Sequence, residues 1–269
     1  MVLTVAEKLS QEPKNWRKQL LVILVLVIAL GWSMSAIKLN TGGSSGWSIA
    51  SKILIGLVTP TPSLLFNLSS NGVAYLLLET VCIAFLGTLV GAVVAVPISF
   101  LSASNIVPSY IAIIGRVIIM AIRTIPALVY GLMFIMVTGP GPFAGLLTMS
   151  LASVGMLSKM FIETIEDLDK GIIESLDAAG CTLFQKIRYG IIPQLSASFM
   201  STLIYRFDMN LRDATVLGLV GAGGIGAPLI FAMSSYRWSD AGAVLVGLIL
   251  LVLFVESFSN KLRKKLARG

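Results

Sequence analysis

The sequence predicts an all-α integral membrane protein with six transmembrane helices and one long polar loop. Three observations carry this reading. Of 269 residues, 56% are hydrophobic and only 12% are charged, whereas a soluble domain carries about 25% charged residues. Six stretches reach the roughly 20 mainly apolar residues that a crossing needs: 19–37, 73–100, 106–137, 142–161, 195–220 and 241–258. The basic residues then sort to alternate sides of those spans.

The first span, 19–37, is expected to be retained rather than cleaved, because its apolar run is long and no A-x-A site follows. Residues 38–72 form the outer loop. Within it Trp47, Ala50, Ile53, Leu54 and Leu57 recur at helical spacing, which predicts a short helix lying in the interface or packed on the bundle. Pro60 and Pro62 end it. The second and third spans exceed the minimum length, so they tilt or kink, with Pro97 and Pro126 as the kink points. The fourth span leads into the polar segment 162–194, "IETIEDLDKGIIESLDAAGCTLFQKIRYGIIPQ". Gly171 separates an acidic stretch from "IIESLDAAG". Gly180 closes a helix, as a glycine with φ > 0 does, and Thr182 is placed to cap the next one. Pro193 opens the fifth span, and a glycine-rich run, "GLVGAGGIGAPL", separates that span from the sixth.

Orientation follows from the positive residues. Lys8, Lys14, Arg17 and Lys18 precede the first span. Lys261, Arg263, Lys264, Lys265 and Arg268 follow the last. Lys159, Lys170, Lys186 and Arg188 flank or occupy the polar loop. Six spans put all of these on one side and leave Lys38, Lys52 and Arg237 on the other. Both termini are therefore expected in the cytoplasm, and the net charge of +7 reads as topology and attraction to anionic lipid rather than nucleic-acid binding.

Several chemistries are excluded. The chain has no histidine, and its two cysteines, Cys82 and Cys181, form neither a disulfide framework nor a metal spacing. No G-x-x-x-x-G-K-[ST] occurs, so any ATP is held by another subunit. Gly221, Gly223 and Gly226 satisfy G-x-G-x-x-G, but that fingerprint needs a βαβ context on the cytoplasmic side. Here Gly221, Gly223, Gly224 and Gly226 follow the fifth span at the outer surface. They are expected to permit close packing or to form an outer gate or receptor contact.

The polar segment resembles the loop of integral-membrane subunits of binding-protein-dependent ABC importers, E-A-A-x3-G-x9-I-x-L-P. Glu174, Ala178, Ala179, Gly180, Ile192 and Pro193 stand at matching spacing. Ser175 and Leu176 replace the two alanines, Gly190 stands for the isoleucine and Ile192 for the leucine. "RTIPALVYGLMF", "GPGPFAGLL", "AAGCTLFQKIRYGIIPQ" and "TVLGLVGAGGIG" resemble phosphonate-import permeases of the PhnE type over about 70% of the chain, from Glu79 onward. Ala127 departs from the glutamate common in those permeases. The resemblance implies the ABC type I importer permease fold. Residues 1–72 would hold an N-terminal cytoplasmic segment, the first span and the outer loop, and 73–269 the permease core with its coupling loop. It also implies a pair of permeases (a homodimer, or two similar chains), two cytoplasmic ATPase subunits docking at Glu174, Ala178, Ala179, Gly180 and Pro193, and an extracytoplasmic phosphonate-binding protein. ATP and Mg would sit on the partner subunits, with no cofactor or metal on this chain, and the setting would be the cell membrane of a prokaryote.

Charges within the spans complete the site. Arg116, Arg123, Arg206 and Arg212 lie in or at the ends of spans, with Glu79, Asp208 and Asp213. Such residues are costly unless paired or facing water. Depth counting makes Glu79 with Arg123, or Asp208 with Arg123, feasible pairs. They would either hold the bundle together or form a positive path for an anion. Importers of phosphite, phosphate esters or methionine are the nearest alternatives. An ion-coupled secondary transporter would show inverted repeats, and an intramembrane enzyme would show clustered catalytic groups; neither pattern is present.

Overall fold

The computed structural model describes residues 16–36, 46–69 and 72–266. Lys8, Lys14, Ile37, Lys38 and Arg268, which entered the topology reading, lie outside the described residues. The chain divides into two compact units, 1–50 and 51–269.

In the first unit α1 (Trp16–Ala36) is one helix, and none of its apolar window Lys18–Ser35 is buried. A helix that is hydrophobic all round is made for lipid or for a protein core. Helix α2 (Gly46–Val58) spans the junction of the units. The helix predicted in the outer loop therefore exists. Trp47, Leu54 and Val58 are exposed on it, while Ala50 and Ile53 are half-buried; the side chain of Leu57 lies outside the description. Gly56 sets its packing, since a Cβ there would lie 2.6 Å from the backbone of Trp238.

The second unit continues through α3 (Pro62–Leu65), α4 (Val73–Ser102), α5 (Ser109–Thr124), α6 (Ala127–Thr138), α7 (Pro142–Glu166), α8 (Lys170–Ala178), α9 (Leu183–Gln185), a π-helical segment Lys186–Ile191, α10 (Ile192–Leu219), α11 (Gly226–Ser234) and α12 (Trp238–Leu266). Its axis is the α4–α7 pair. Gly87 lies against Met149 and Gly91 against Ser153, where a Cβ would come within 2.4 and 2.5 Å of the neighbouring Cβ. Small residues four apart let two helices close in apolar surroundings, where packing contacts rather than the hydrophobic effect hold them. Helix α10 packs on both, and α12 on α10 and α4.

Four helices among the described residues are long and apolar enough to cross a membrane: α1, α4, α7 and α12. The expected third span is not one helix. Helices α5 and α6 meet at an 82° bend, with Ile125 extended (φ −87°, ψ 124°) before Pro126. Proline removes the N–H that the Ile122 carbonyl would accept, and its ring disfavours helix in the residue before it. The Tyr130 hydroxyl donates to that carbonyl at 3.0 Å instead. Pro97, the other expected kink point, stays inside α4, which runs on to Ser102. Helix α10 has the length of a span, 28 residues, but carries Arg206, Asp208, Arg212 and Asp213.

Candidate functional site

The end of the bundle that carries residues 167–191 is closed by local devices. Asp169 caps α8 by accepting from the Gly171 N–H at 2.9 Å. Gly180 takes φ +72°. Its N–H donates to the Asp177 carbonyl (2.9 Å), and the Cys181 N–H to the Leu176 carbonyl (3.1 Å), the two bonds of a Schellman stop. Thr182 then starts α9 with a capping box: its N–H donates to Gln185 Oε1 at 2.8 Å and its hydroxyl accepts from the Gln185 N–H at 3.4 Å. Both glycine and threonine thus do what their positions in the sequence predict. Lys186 pairs with Asp177 across the turn. Glu174, Ala178, Ala179 and Gly180 are exposed, as are Leu183, Phe184 and Tyr189, so an apolar surface stands open beside α8.

Two of the departures from the loop pattern, Leu176 and Gly190, meet each other. A Cβ on Gly190 would lie 2.3 Å from Leu176 Cδ1. The larger residue in α8 fills the space that the missing side chain leaves. The π turn sits at the same place, with the Ile192 N–H donating to the Ile187 carbonyl five residues back. Pro193 in the first turn of α10 has no N–H for the Tyr189 carbonyl and crowds it, and a wider turn relieves that crowding.

The intramembrane charges are arranged differently from the depth-based pairing. Asp208 pairs with Arg212 on its own helix (2.8 Å), and Arg212 also reaches Glu256 on α12 (3.5 Å). Glu79 accepts from the Gly224 N–H at 3.3 Å. Arg123 therefore takes neither of the expected partners. Intervals along helices set depth but not azimuth, and the partners of Asp208 and Glu79 lie on α10 and in the glycine run instead. Arg206 is 5% exposed, with Nε donating to Ser153 Oγ at 3.2 Å and Nη1 3.1 Å from Met156 Sδ. Asn210 Nδ2 donates to the same Ser153 hydroxyl (2.7 Å) and to Thr88 Oγ1 (2.8 Å). This cluster ties α4, α7 and α10 at one level. Among the described residues no carboxylate lies within 4.0 Å of Arg206 or Arg123; Asp213, two turns beyond Arg206, supplies charge at longer range. Arg116 pairs with Glu166 and donates from Nε to the Ser102 carbonyl at 3.1 Å. Thr88, Ser153, Asn210 and Glu166 were missed by sequence reasoning. Small hydroxyl residues inside apolar runs were the available signal for the first two.

At the opposite end the glycine run folds into the bundle. Gly221, Gly223 and Gly224 all have positive φ, at +92°, +82° and +75°. The Gly141 N–H donates to the Gly221 carbonyl (2.9 Å) and the Ile225 N–H to Thr80 Oγ1 (3.0 Å). A Cβ on Gly226 would lie 2.2 Å from the Thr215 carbonyl oxygen, and one on Gly145 2.3 Å from that of Ala222. Close packing, the first of the two expected roles, is what these contacts describe.

Residues 95–266 match the model of the family described as "Binding-protein-dependent transport system inner membrane component". The chain belongs to this family. A phosphite transport system permease protein, PtxC of Stutzerimonas stutzeri, is 35% identical over 189 residues, covering 70% of this chain and 69% of that protein. HtxC of the same organism, a putative phosphite transport system permease protein, is 31% identical over 246 residues, 90% of this chain and 84% of its own length. In structure, a chain of the inward-facing MetNI methionine ABC transporter aligns with a TM-score of 0.63 at 20% identity, covering 72% of this chain and 95% of that one, which shows the fold alone. The chain is thus a multi-pass membrane subunit with the type I ABC importer permease fold. The family's matched region contains α8 with its Gly180 turn and, of the Arg206 cluster, Ser153, Arg206 and Asn210.

Proposed function

We propose that this chain forms the translocation path of an ABC importer for phosphite or a phosphonate, paired with a second copy of itself in the cell membrane. The observation that carries the reading is the exposed α8–Gly180–Thr182 turn with Leu183, Phe184 and Tyr189 beside it. A rigid helix offering apolar side chains at a polar edge suits a groove on a cytoplasmic ATPase. The substrate class is supported by the phosphite permeases to which the chain is similar. In this reading two ATPase subunits hold ATP and Mg, and an extracytoplasmic binding protein delivers substrate at the glycine end. The excess of basic residues at the α8 end supports a cytoplasmic setting for both termini in this reading. Residues 1–72 add the first span and outer loop to a permease core, 73–269.

The mechanism is alternating access. ATP-driven closure of the partners pulls α8, and the short π-helical joint passes that motion to α10. The Arg206–Ser153–Asn210–Thr88 cluster and the Asp208–Arg212–Glu256 chain hold α10 to the bundle as it moves. Glu79 holds the glycine run. α10 is the fifth of the six crossings: an arginine at a span centre costs about 2.5–3.5 kcal/mol on insertion, and these contacts offset it. No residue of the chain carries out covalent chemistry.

The test is uptake in cells lacking only this chain and restored on a plasmid, offered labelled phosphite, methylphosphonate, phosphate and methionine in parallel. Restored phosphite or methylphosphonate uptake, lost in Gly180→Arg with the protein still inserted, is expected. Methionine uptake alone would overturn the substrate class, and a Gly180→Arg variant that transports normally would overturn the docking surface.

A further inference from the structure

The outer flank of α7 carries a second set of charges that the Arg206 cluster does not use. Between α5 and α7 lies an open groove of about 270 Å³, lined by Arg116, Arg123 and Lys159, by Glu163 and Glu166, and by Met120 among its apolar residues. Glu166 takes Arg116, and Glu163 takes Lys159 at 3.2 Å. Arg123 is left over, so the groove keeps one positive charge. Gly155 makes room for it, because a Cβ there would lie 2.8 Å from Arg123 Cγ. Gly155 precedes Glu166 by eleven residues, so the three cations follow one another over about 16 Å of α7.

Two features decide what the groove faces. Its ion pairs are half-open, with Lys159 and Glu163 side chains 49% and 57% exposed. Yet it lies within the apolar span rather than beyond its edge: Ile113 and Ile114, further toward the α8 end of α5 than Arg116, are exposed and apolar. Ionisable groups at such a level face a water-filled cavity or another protein surface, not acyl chains. Arg206, on a different side of α7, is closed within the bundle and reaches no such space. We propose that the α5–α7 groove lines the inner half of the translocation path, and that Arg123 is the cation that draws the oxyanion through it toward the α8 end. The proposal rests on the importer reading above. It assigns the route to Arg123, Lys159 and Arg116 and not to Arg206. A guanidinium presents a planar fork of donors to a tetrahedral oxyanion, and the flanking carboxylates keep the groove from holding the anion too tightly to release it.

The experiment uses the assembled importer with Cys82 and Cys181 replaced by alanine and Met120→Cys introduced. Met120 is 66% exposed, so the change leaves packing intact. Modification by a negatively charged thiol reagent is compared with that by a positively charged reagent of the same size. In a wet, positive groove the anionic reagent is expected to react about tenfold faster, with the ratio falling toward one in Arg123→Gln. Lys159→Gln is expected to lower the ratio less. In uptake, Arg123→Gln is expected to lower the maximal rate severalfold while ATPase activity stimulated by the binding protein persists, and Arg123→Lys to restore part of it. Lack of reaction with either reagent would show a groove filled by lipid and overturn the proposal. Equal rates in the parent protein, or wild-type uptake in Arg123→Gln, would do the same. If the parent importer carries none of the phosphorus oxyanions but the anionic preference at position 120 stands, the substrate reading falls and the anion route survives.

Discussion

The two ends of the bundle both turn on glycine, and they use it for opposite reasons. At the α8 end Gly180 needs its backbone angle, φ +72°, and has nothing within 4 Å of where a Cβ would be. At the other end Gly226 has a helical backbone but no room, with the Thr215 carbonyl oxygen 2.2 Å from that position. The first is closed by hydrogen bonds among residues 169–185, all close in sequence. The second also joins residues more than seventy positions apart, Gly141 with Gly221 and Thr80 with Ile225. A local closure leaves its surface free for a partner. A long-range closure spends its surface on the fold.

That contrast can be broken by substitution. Gly226→Ala puts a methyl group against backbone that has no rotamer to yield, so a loss at the upper end of overpacking, about 3 kcal/mol, is expected. The measurement is the thermal midpoint and monodisperse yield of the purified protein; a midpoint within error of wild type would show that the glycine end is pliable. Gly190→Ala meets a flexible side chain instead, Leu176, and is expected to cost about 1–2 kcal/mol. Leu176→Ala in the same chain should recover part of that, with a coupling of at least about 0.5 kcal/mol in a double-mutant cycle; strict additivity would separate α8 from the π segment. Gly180→Ala meets no atom and carries only the left-handed penalty of about 1–2 kcal/mol, confined to the loop. Its larger effect is expected on ATPase-coupled uptake rather than on the thermal midpoint. Smallest is Thr182→Ala, about 1 kcal/mol for a lost N-cap, seen as faster hydrogen exchange at residues 182–186 with the spans unchanged.

The same distinction separates what was readable from the chain alone. The apolar stretches, the stop at Gly180, the cap at Thr182, the break at Pro126 and the helix around residues 46–58 were legible because each depends on neighbours in sequence: hydrophobic length, a glycine angle, a capping oxygen, a missing N–H. The family loop pattern was legible for the same reason. The pairing of charges was not. Arg123 was expected to meet Glu79 or Asp208, but Asp208 takes Arg212 and Glu79 takes the Gly224 N–H. Spacing along a helix yields height and leaves open which way a side chain points once helices are packed. Whether Gly190 was a defect in the loop pattern or the complement of Leu176 likewise required both helices in place.

By itself, then, the sequence determined the membrane setting, the helical class, the loop that stops at Gly180 and the membership this implies. Those properties are sums over local terms. Only the tertiary structure decided that α5 and α6 bend by 82°, that Arg206 is closed in against Ser153 while Arg123 stands in an open groove, and that the glycine run is packed against α4 and α7. These depend on which helix faces meet, and α4 and α7 meet as they do because Gly87 and Gly91 let them approach until backbone and small side chains touch.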